Sequence, residues 1–198
     1  ASLNGVPLPL TTYTTVFQEP SYSLTQLRET GMESYENLRG LDSYLQLPDT
    51  VPERVHDLAL SITRDESSVY EKAKAIERYF GRNGFSYERT NVAVPSEDED
   101  YVDQFLFDTK QGYCDNFSSS MVVMLRSVGI PAKWVKGFAP GEASTNQMNE
   151  RIYEVTNNEA HSWVEVFIPE IGWMPFEPTL GFSGVASIDY DLELEIDD

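Results

Sequence analysis

The chain holds one cysteine, Cys114, and two histidines, His56 and His161, and these are the residues that could pair a sulfur nucleophile with a base that titrates near neutrality. Such a pair does acyl chemistry: the thiolate attacks a carbonyl carbon and the imidazole moves the protons. Cys114 follows Gly112-Tyr113 and precedes Phe117, Met121, Met124, Leu125 and Val128, an apolar stripe at helical spacing, so the thiol falls where a helix should begin. Free backbone N–H groups and the positive end of the helix dipole stabilise a thiolate there, drawing the thiol down from its free value of about 8.5. The same amides can hold an oxyanion.

His161 opens a run in which His161, Trp163, Glu165 and Phe167 share one face while Val164, Val166 and Ile168 share the other. A Pro169-Glu170-Ile171 loop leads into a second run over residues 173–177. If Ile168 pairs with Gly172, Trp163 lies opposite Glu177, and Glu177 becomes the diagonal neighbour of His161 on one face. A carboxylate there would orient the imidazole, giving a nucleophile, a base and an orienting acid in the order Cys114, His161, Glu177. A one-residue slip would put Glu177 on the other face. His56 sits off the apolar stripe of its helix and reads as solvent-exposed and idle. On spacing alone the competing reading stands, with Cys114 an inert buried residue and His161 a structural one.

Several elements must position these groups. Val51, Val55, Leu58, Ala59 and Ile62 recur at spacings of three and four, with Pro52 in the first turn of that helix. Ser68 and Glu71 form a Ser-x-x-Glu capping box ahead of Ala73, Ile76, Tyr79 and Phe80, and Gly81 and Gly84 end that helix. Gly129 and Pro131 stop the helix that Cys114 begins. The period then changes to two, with strands expected over residues 133–138, 152–156, 162–168 and 173–177. Helices followed by an antiparallel sheet define an α+β fold. A polar loop over residues 140–151 could cover the cleft. Upstream, residues 13–17 are β-prone and residues 32–44 helix-prone, within an N-terminal arm.

The totals exclude other classes. A net charge of −19, from 33 acidic against 14 basic residues, repels phosphate backbones, so nucleic acid is not an expected partner. A hydrophobic fraction of 40% is enough for a core. No apolar run approaches the roughly 20 residues a bilayer span needs. The chain opens at Ala1 without an initiator Met or a signal pattern, which reads as a processed or excised piece. One Cys and two His cannot make a structural zinc site, and Glu97-Asp98-Glu99-Asp100 lacks a calcium-loop pattern, so no metal or other cofactor is expected.

Gly112-Tyr113-Cys114 with its helix, Val128-Gly129-Ile130-Pro131-Ala132, His161-Ser162-Trp163-Val164-Glu165-Val166, Gly172-Trp173 and Glu177-Pro178-Thr179 resemble, in order and separation, the transglutaminase-like family. Tyr44-Leu45-Gln46-Leu47-Pro48 and Phe85-Ser86-Tyr87 fit as well, so the resemblance covers residues 44–181. It implies a papain-like α+β core in which Cys114 is the nucleophile, His161 the base and then the acid, and Glu177 the orienting partner. It implies acyl transfer on peptide or protein amides through a Cys114 thioester, of the protein-glutamine gamma-glutamyltransferase kind. Hydrolysis by a cysteine protease or amidase, or an inactive module that binds peptides or wall polymers, are the alternatives. The branch it resembles is bacterial, an extracytoplasmic core domain of a larger membrane protein whose spans lie outside this chain. The expected organisation is an arm over 1–43, a catalytic domain over 44–185 and an acidic tail over 186–198. One departure stands out: the family usually carries Asp where this chain has Glu177, one methylene longer. Some family members use calcium.

Overall fold

A computed structural model describes residues 2–3, 6–7, 12–36, 38–183 and 187–189. Two short strands, β1 (Ser2–Leu3) and β2 (Val6–Pro7), pair with each other. The β-prone residues 13–17 form no strand, and Tyr13, Val16 and Phe17 are exposed. β3 (Ser21–Ser23) leads into α1 (Leu24–Glu29), where the Ser23 hydroxyl caps the helix by accepting the Gln26 N–H. Residues 32–44 form no continuous helix; they hold two single 3-10 turns, Met32–Tyr35 and Asp42–Tyr44.

Next comes α2 (Glu53–Thr63), with Pro52 as its N-cap, one position before the first turn. In α3 (Val69–Arg82) the Ser68 hydroxyl accepts the Glu71 N–H at 3.1 Å, but the capping box is only half made. The Glu71 carboxylate turns away to Ser67 Oγ and Arg28, so an ion pair wins it from the cap backbone. Gly81 lies inside α3, and the turn belongs to Gly84 at φ +78°. β4 (Ser86–Tyr87) pairs parallel with β5 (Gln111–Gly112). Between them, α4 (Tyr101–Asp103) widens into a π-helical stretch, Gln104–Thr109, that buries Phe105 and Leu106.

α5 (Cys114–Ser127) is the central helix, packed on α2 and α3 on one side and on the sheet on the other. Its first core residue, Phe117, meets Phe80 at 5.5 Å and Phe105 at 5.0 Å between ring centroids, which anchors the turn that carries Cys114. The remaining strands are β6 (Ala132–Phe138), β7 (Glu142–Thr145), β8 (Arg151–Glu154), β9 (Ala160–Ile168), β10 (Gly172–Phe176) and β11 (Ser187–Asp189). The main sheet is antiparallel with order β10-β9-β6. Val164, Val166 and Ile168 are buried on its inner face, as the alternation requires. The strand expected over 152–156 does not join this sheet. As β8 it pairs with β7, so the expected loop over 140–151 contains half of a separate hairpin.

Parts of the expected arm and tail pack with the rest of the chain. Tyr22 and Leu27 are buried in the common core, and Tyr35 Oη–H donates to the Phe167 carbonyl at 2.5 Å. β3 and β11 pair in parallel, Ser21 with Ser187 through Ser23 with Asp189. Residues 21–35 and 187–189 are therefore part of the folded unit; the rest of the expected acidic tail lies outside the described residues. Leu27→Ala should lower the unfolding free energy in urea by about 2–5 kcal/mol, as for a core leucine, where an arm residue would cost under about 0.5 kcal/mol.

Candidate active site

Helix α5 starts at Cys114 because the preceding residues cap it. The Asn116 side chain reaches back to accept the Tyr113 N–H at 3.1 Å. Only glycine leaves room for that: a Cβ on residue 112 would lie 2.4 Å from the Asn116 carboxamide. Asn116 is itself buried, so the polar side chain at the helix start is fixed rather than free to rotate. The thiol thus sits in the first turn with the helix dipole behind it.

The β9–β10 register brings the other two groups together. Ile168 pairs with Gly172 and Val164 with Phe176, so the ladder carried one step further sets Trp163 against Glu177. His161 Nε2 meets Glu177 Oε2 at 2.6 Å, with side chains only 6% and 7% exposed. The second carboxylate oxygen, Oε1, accepts the Thr179 N–H at 2.9 Å, so the turn after β10 holds the carboxylate still. From α3, Glu77 Oε1 accepts the Glu177 N–H at 3.0 Å, and Lys74 ion-pairs with Glu77. The extra methylene of glutamate is absorbed by this two-point anchorage, and the contact to the imidazole is short.

Nε2 being engaged, Nδ1 is the imidazole nitrogen left for the thiol; it is buried and meets no partner at formed hydrogen-bond geometry among the described residues. Resting sites commonly hold such contacts loose and tighten them around substrate. Cys114 and His161 line one cleft of about 400 Å³. Burial pushes the Cys114 thiol up, but the nearby His161 imidazole and the polar groups of Ser162 together bring it below its ordinary value. Burial pushes His161 down, yet the thiol and the Glu177 carboxylate raise it to about 9. The two shifts belong to one coupled pair, and each moves its group in the direction that favours a thiolate beside an imidazolium.

Ser162, whose partner in β6 is Lys136, points opposite to His161 toward α5. Its Oγ lies 2.7 Å from Asp115 Oδ1 and 2.9 Å from Ser118 Oγ, which in turn takes the Trp134 Nε1–H at 2.8 Å. This network ties the thiol's helix turn to the histidine's strand. Sequence reasoning gave these residues no role. The available signal was a serine on the strand face otherwise filled by Val164, Val166 and Ile168, since a buried hydroxyl requires a partner. Phe182 was missed as well: it stacks on His161 at 4.3 Å and 13° between ring planes, carried there by the turn through Gly181 at φ +87°. No spacing in the sequence announces it.

His56 is exposed and remote from the cleft, as expected of a chemically idle side chain; its Nδ1 lies 2.9 Å from the Ser127 carbonyl at the far end of α5. Among the described residues no three His, Cys, Asp or Glu side chains form a metal-holding group. Among those residues, too, no helix is long and apolar enough to cross a membrane.

A thiol at a helix start sharing a cleft with an imidazole that meets a carboxylate across an antiparallel pair is a candidate cysteine site on a papain-like α+β fold. The family model described as "Transglutaminase-like superfamily" matches residues 56–178, more than half of the chain, and the chain belongs to that superfamily. It is 55% identical, over 88% of its length, to YebA, an uncharacterized protein of Bacillus subtilis. It is 31% identical, over 77% of its length, to a protein-glutamine gamma-glutamyltransferase of Pseudomonas aeruginosa. The chain spans only 24% and 21% of the lengths of these two relatives. Among solved structures, the periplasmic domain of TgpA from Pseudomonas aeruginosa superposes with a TM-score of 0.62 at 32% identity, covering 74% of this chain and 49% of that one.

With two histidines in the chain, the assignment is separable by mutation. Cys114 alkylation by iodoacetamide, followed by mass spectrometry, should persist well below the pH at which a free thiol ionises. Because His161 lowers the thiol, His161→Ala should move the profile to higher pH, and His56→Ala should leave it in place. Equal effects at both histidines would contradict the assignment.

Proposed function

We propose that this chain is the catalytic domain of a cysteine enzyme that transfers acyl groups from peptide or protein amides through a thioester on Cys114. The observation that carries this reading is the 2.6 Å contact between His161 and Glu177 beside a helix-start thiol whose pKa is drawn down. In the first half-reaction the Cys114 thiolate adds to the amide carbonyl, and backbone N–H groups at the start of α5 are placed to receive the oxyanion. The imidazolium of His161 gives its proton to the departing amine as the C–N bond breaks, leaving the thioester. His161, now neutral, takes a proton from the incoming nucleophile as it adds. Collapse releases the new acyl product and restores the thiolate, while Glu177 keeps Nε2 engaged throughout.

The likeness to the Pseudomonas protein-glutamine gamma-glutamyltransferase favours an amine as the second nucleophile, which makes a new amide; water in its place would make the enzyme a protease or amidase. Residues 56–178 hold the machinery for either outcome. A catalytically idle binding module is the less supported reading, because Glu177 reaches the imidazole despite replacing the usual aspartate. The periplasmic TgpA domain supports placing this one on the extracytoplasmic face of a membrane, as a soluble part of a larger membrane protein. Peptides or proteins are its proposed substrates, with no cofactor in the steps above.

Incubation with a glutamine-bearing protein and a labelled primary amine, read by mass spectrometry, separates the outcomes: label incorporation means transfer, and a gain of acid means hydrolysis. Cys114→Ala should abolish both. Glu177→Gln should lower kcat/KM by about 100-fold or more and Glu177→Asp by less than about tenfold, since only a carboxylate stabilises the imidazolium. Full activity in Glu177→Gln would remove the carboxylate from the mechanism.

A further inference from the structure

The walls of the Cys114 cleft differ in charge from the rest of the chain. The protein carries 33 acidic against 14 basic residues, yet the side chains lining this cleft include Arg89 and Lys136 and one carboxylate, Asp115. Arg89 follows β4 and Lys136 lies on β6, so the two cations approach the thiol from different elements. Several cations elsewhere take a carboxylate partner, as in Arg54 with Asp103, Lys74 with Glu77 and Lys133 with Glu165. Neither Arg89 nor Lys136 pairs with a carboxylate among the described residues. The acid next to Arg89, Glu88, is folded into its own loop, where Oε1 accepts the backbone N–H groups of Arg89, Thr90 and Asn91 and the Thr90 hydroxyl. That fourfold engagement holds its carboxyl down to about 2 and keeps it from turning to the guanidinium. Among the described residues, the Lys136 ammonium meets the ring of Trp134 at 4.2 Å. Asp115 is engaged by Ser162 at 2.7 Å.

We infer that the acyl donor taken at the Cys114 cleft carries a carboxylate beside the reacting carbonyl, held by Arg89 and Lys136. The inference rests on the Cys114 acyl-transfer reading and names its substrate class. The thiolate, Asp115 and Glu177 balance the imidazolium, Arg89 and Lys136 in number, but both carboxylates are engaged, by Ser162 and by His161, while neither Arg89 nor Lys136 pairs with a carboxylate among the described residues. Distant acids that make up the net charge of −19 are damped beyond a Debye length of about 8 Å at physiological salt, whereas a carboxylate inside the cleft meets the two cations directly. The geometry also leaves both cation heads solvent-facing, so they can engage a ligand without first breaking an ion pair.

Two alkylating agents of nearly the same shape test this without knowledge of the natural substrate. In each case the Cys114 sulfur displaces iodide, forming a C–S bond as the C–I bond breaks; iodoacetate carries a carboxylate and iodoacetamide does not. The rate ratio of iodoacetate to iodoacetamide is measured at pH 6 for the full chain and for Arg89→Gln/Lys136→Gln. A fall of about tenfold in the ratio is expected for the double variant, on the scale of two charges acting through a few ångströms of partly screened solvent. Arg89→Lys/Lys136→Arg, which keeps both charges, should retain the parental ratio. An unchanged ratio in the double-Gln variant overturns the carboxylate proposal while leaving the thiolate reading intact. Failure of the parent to react with iodoacetamide at pH 6 overturns the thiolate reading itself, and the substrate class with it.

Discussion

The short contact between His161 and Glu177, almost wholly withdrawn from water, is the constraint on which the rest of the site depends. Burying a carboxylate with an imidazole is costly unless their mutual geometry is close and the carboxylate's other oxygen is engaged. Here the second carboxylate oxygen is taken by Thr179 N–H, and Phe182 covers one face of the imidazole. Meeting those conditions fixes the β9–β10 register, since a slip of one residue would send Glu177 to the opposite face. It also explains why α3 reaches across to the end of β10 through Lys74, Glu77 and the Glu177 backbone. The β9–β10 pair and α3, which lies far before it in the sequence, are locked around one hydrogen bond.

Once the imidazole is fixed, the thiol must be delivered to its free nitrogen, and α5 does this by where it begins. Gly112 and Asn116 set the helix start, and the aromatic cluster around Phe117 sets its height. The Asp115–Ser162–Ser118–Trp134 network then links the helix turn to the strands. The electrostatic result is reciprocal: what lowers the thiol raises the imidazole, so proton position is a property of the pair.

Much of this was legible because it is periodic. The alternation in residues 161–168, the apolar stripe after Cys114 and the loop at Pro169 were enough to place β9, α5 and the β9–β10 register. The three candidate residues were named from type and spacing, and two of them meet at hydrogen-bond distance. What escaped was non-periodic or tertiary. The parallel pairing of β3 with β11 joins residues more than 160 positions apart and leaves no local pattern. β7 is exposed along its length and read as a loop, while β8, expected as a strand, gave no local sign that it pairs with β7 and not with the main sheet. The π-helical stretch at Gln104–Thr109 has no repeat of its own to detect, and Phe182 reaches His161 only through a turn.

The central claim is that Cys114 and His161 share one proton as an ion pair, and the imidazole reports on it directly. The C2–H resonance of His161, assigned with His161→Gln, is to be titrated by NMR in the parent and in Cys114→Ala. The account predicts a midpoint near about 9 in the parent and a fall to lower pH without the thiol, because the thiolate is one of the groups that raises it. An ordinary histidine midpoint that stays where it is when Cys114 is removed would contradict the pairing.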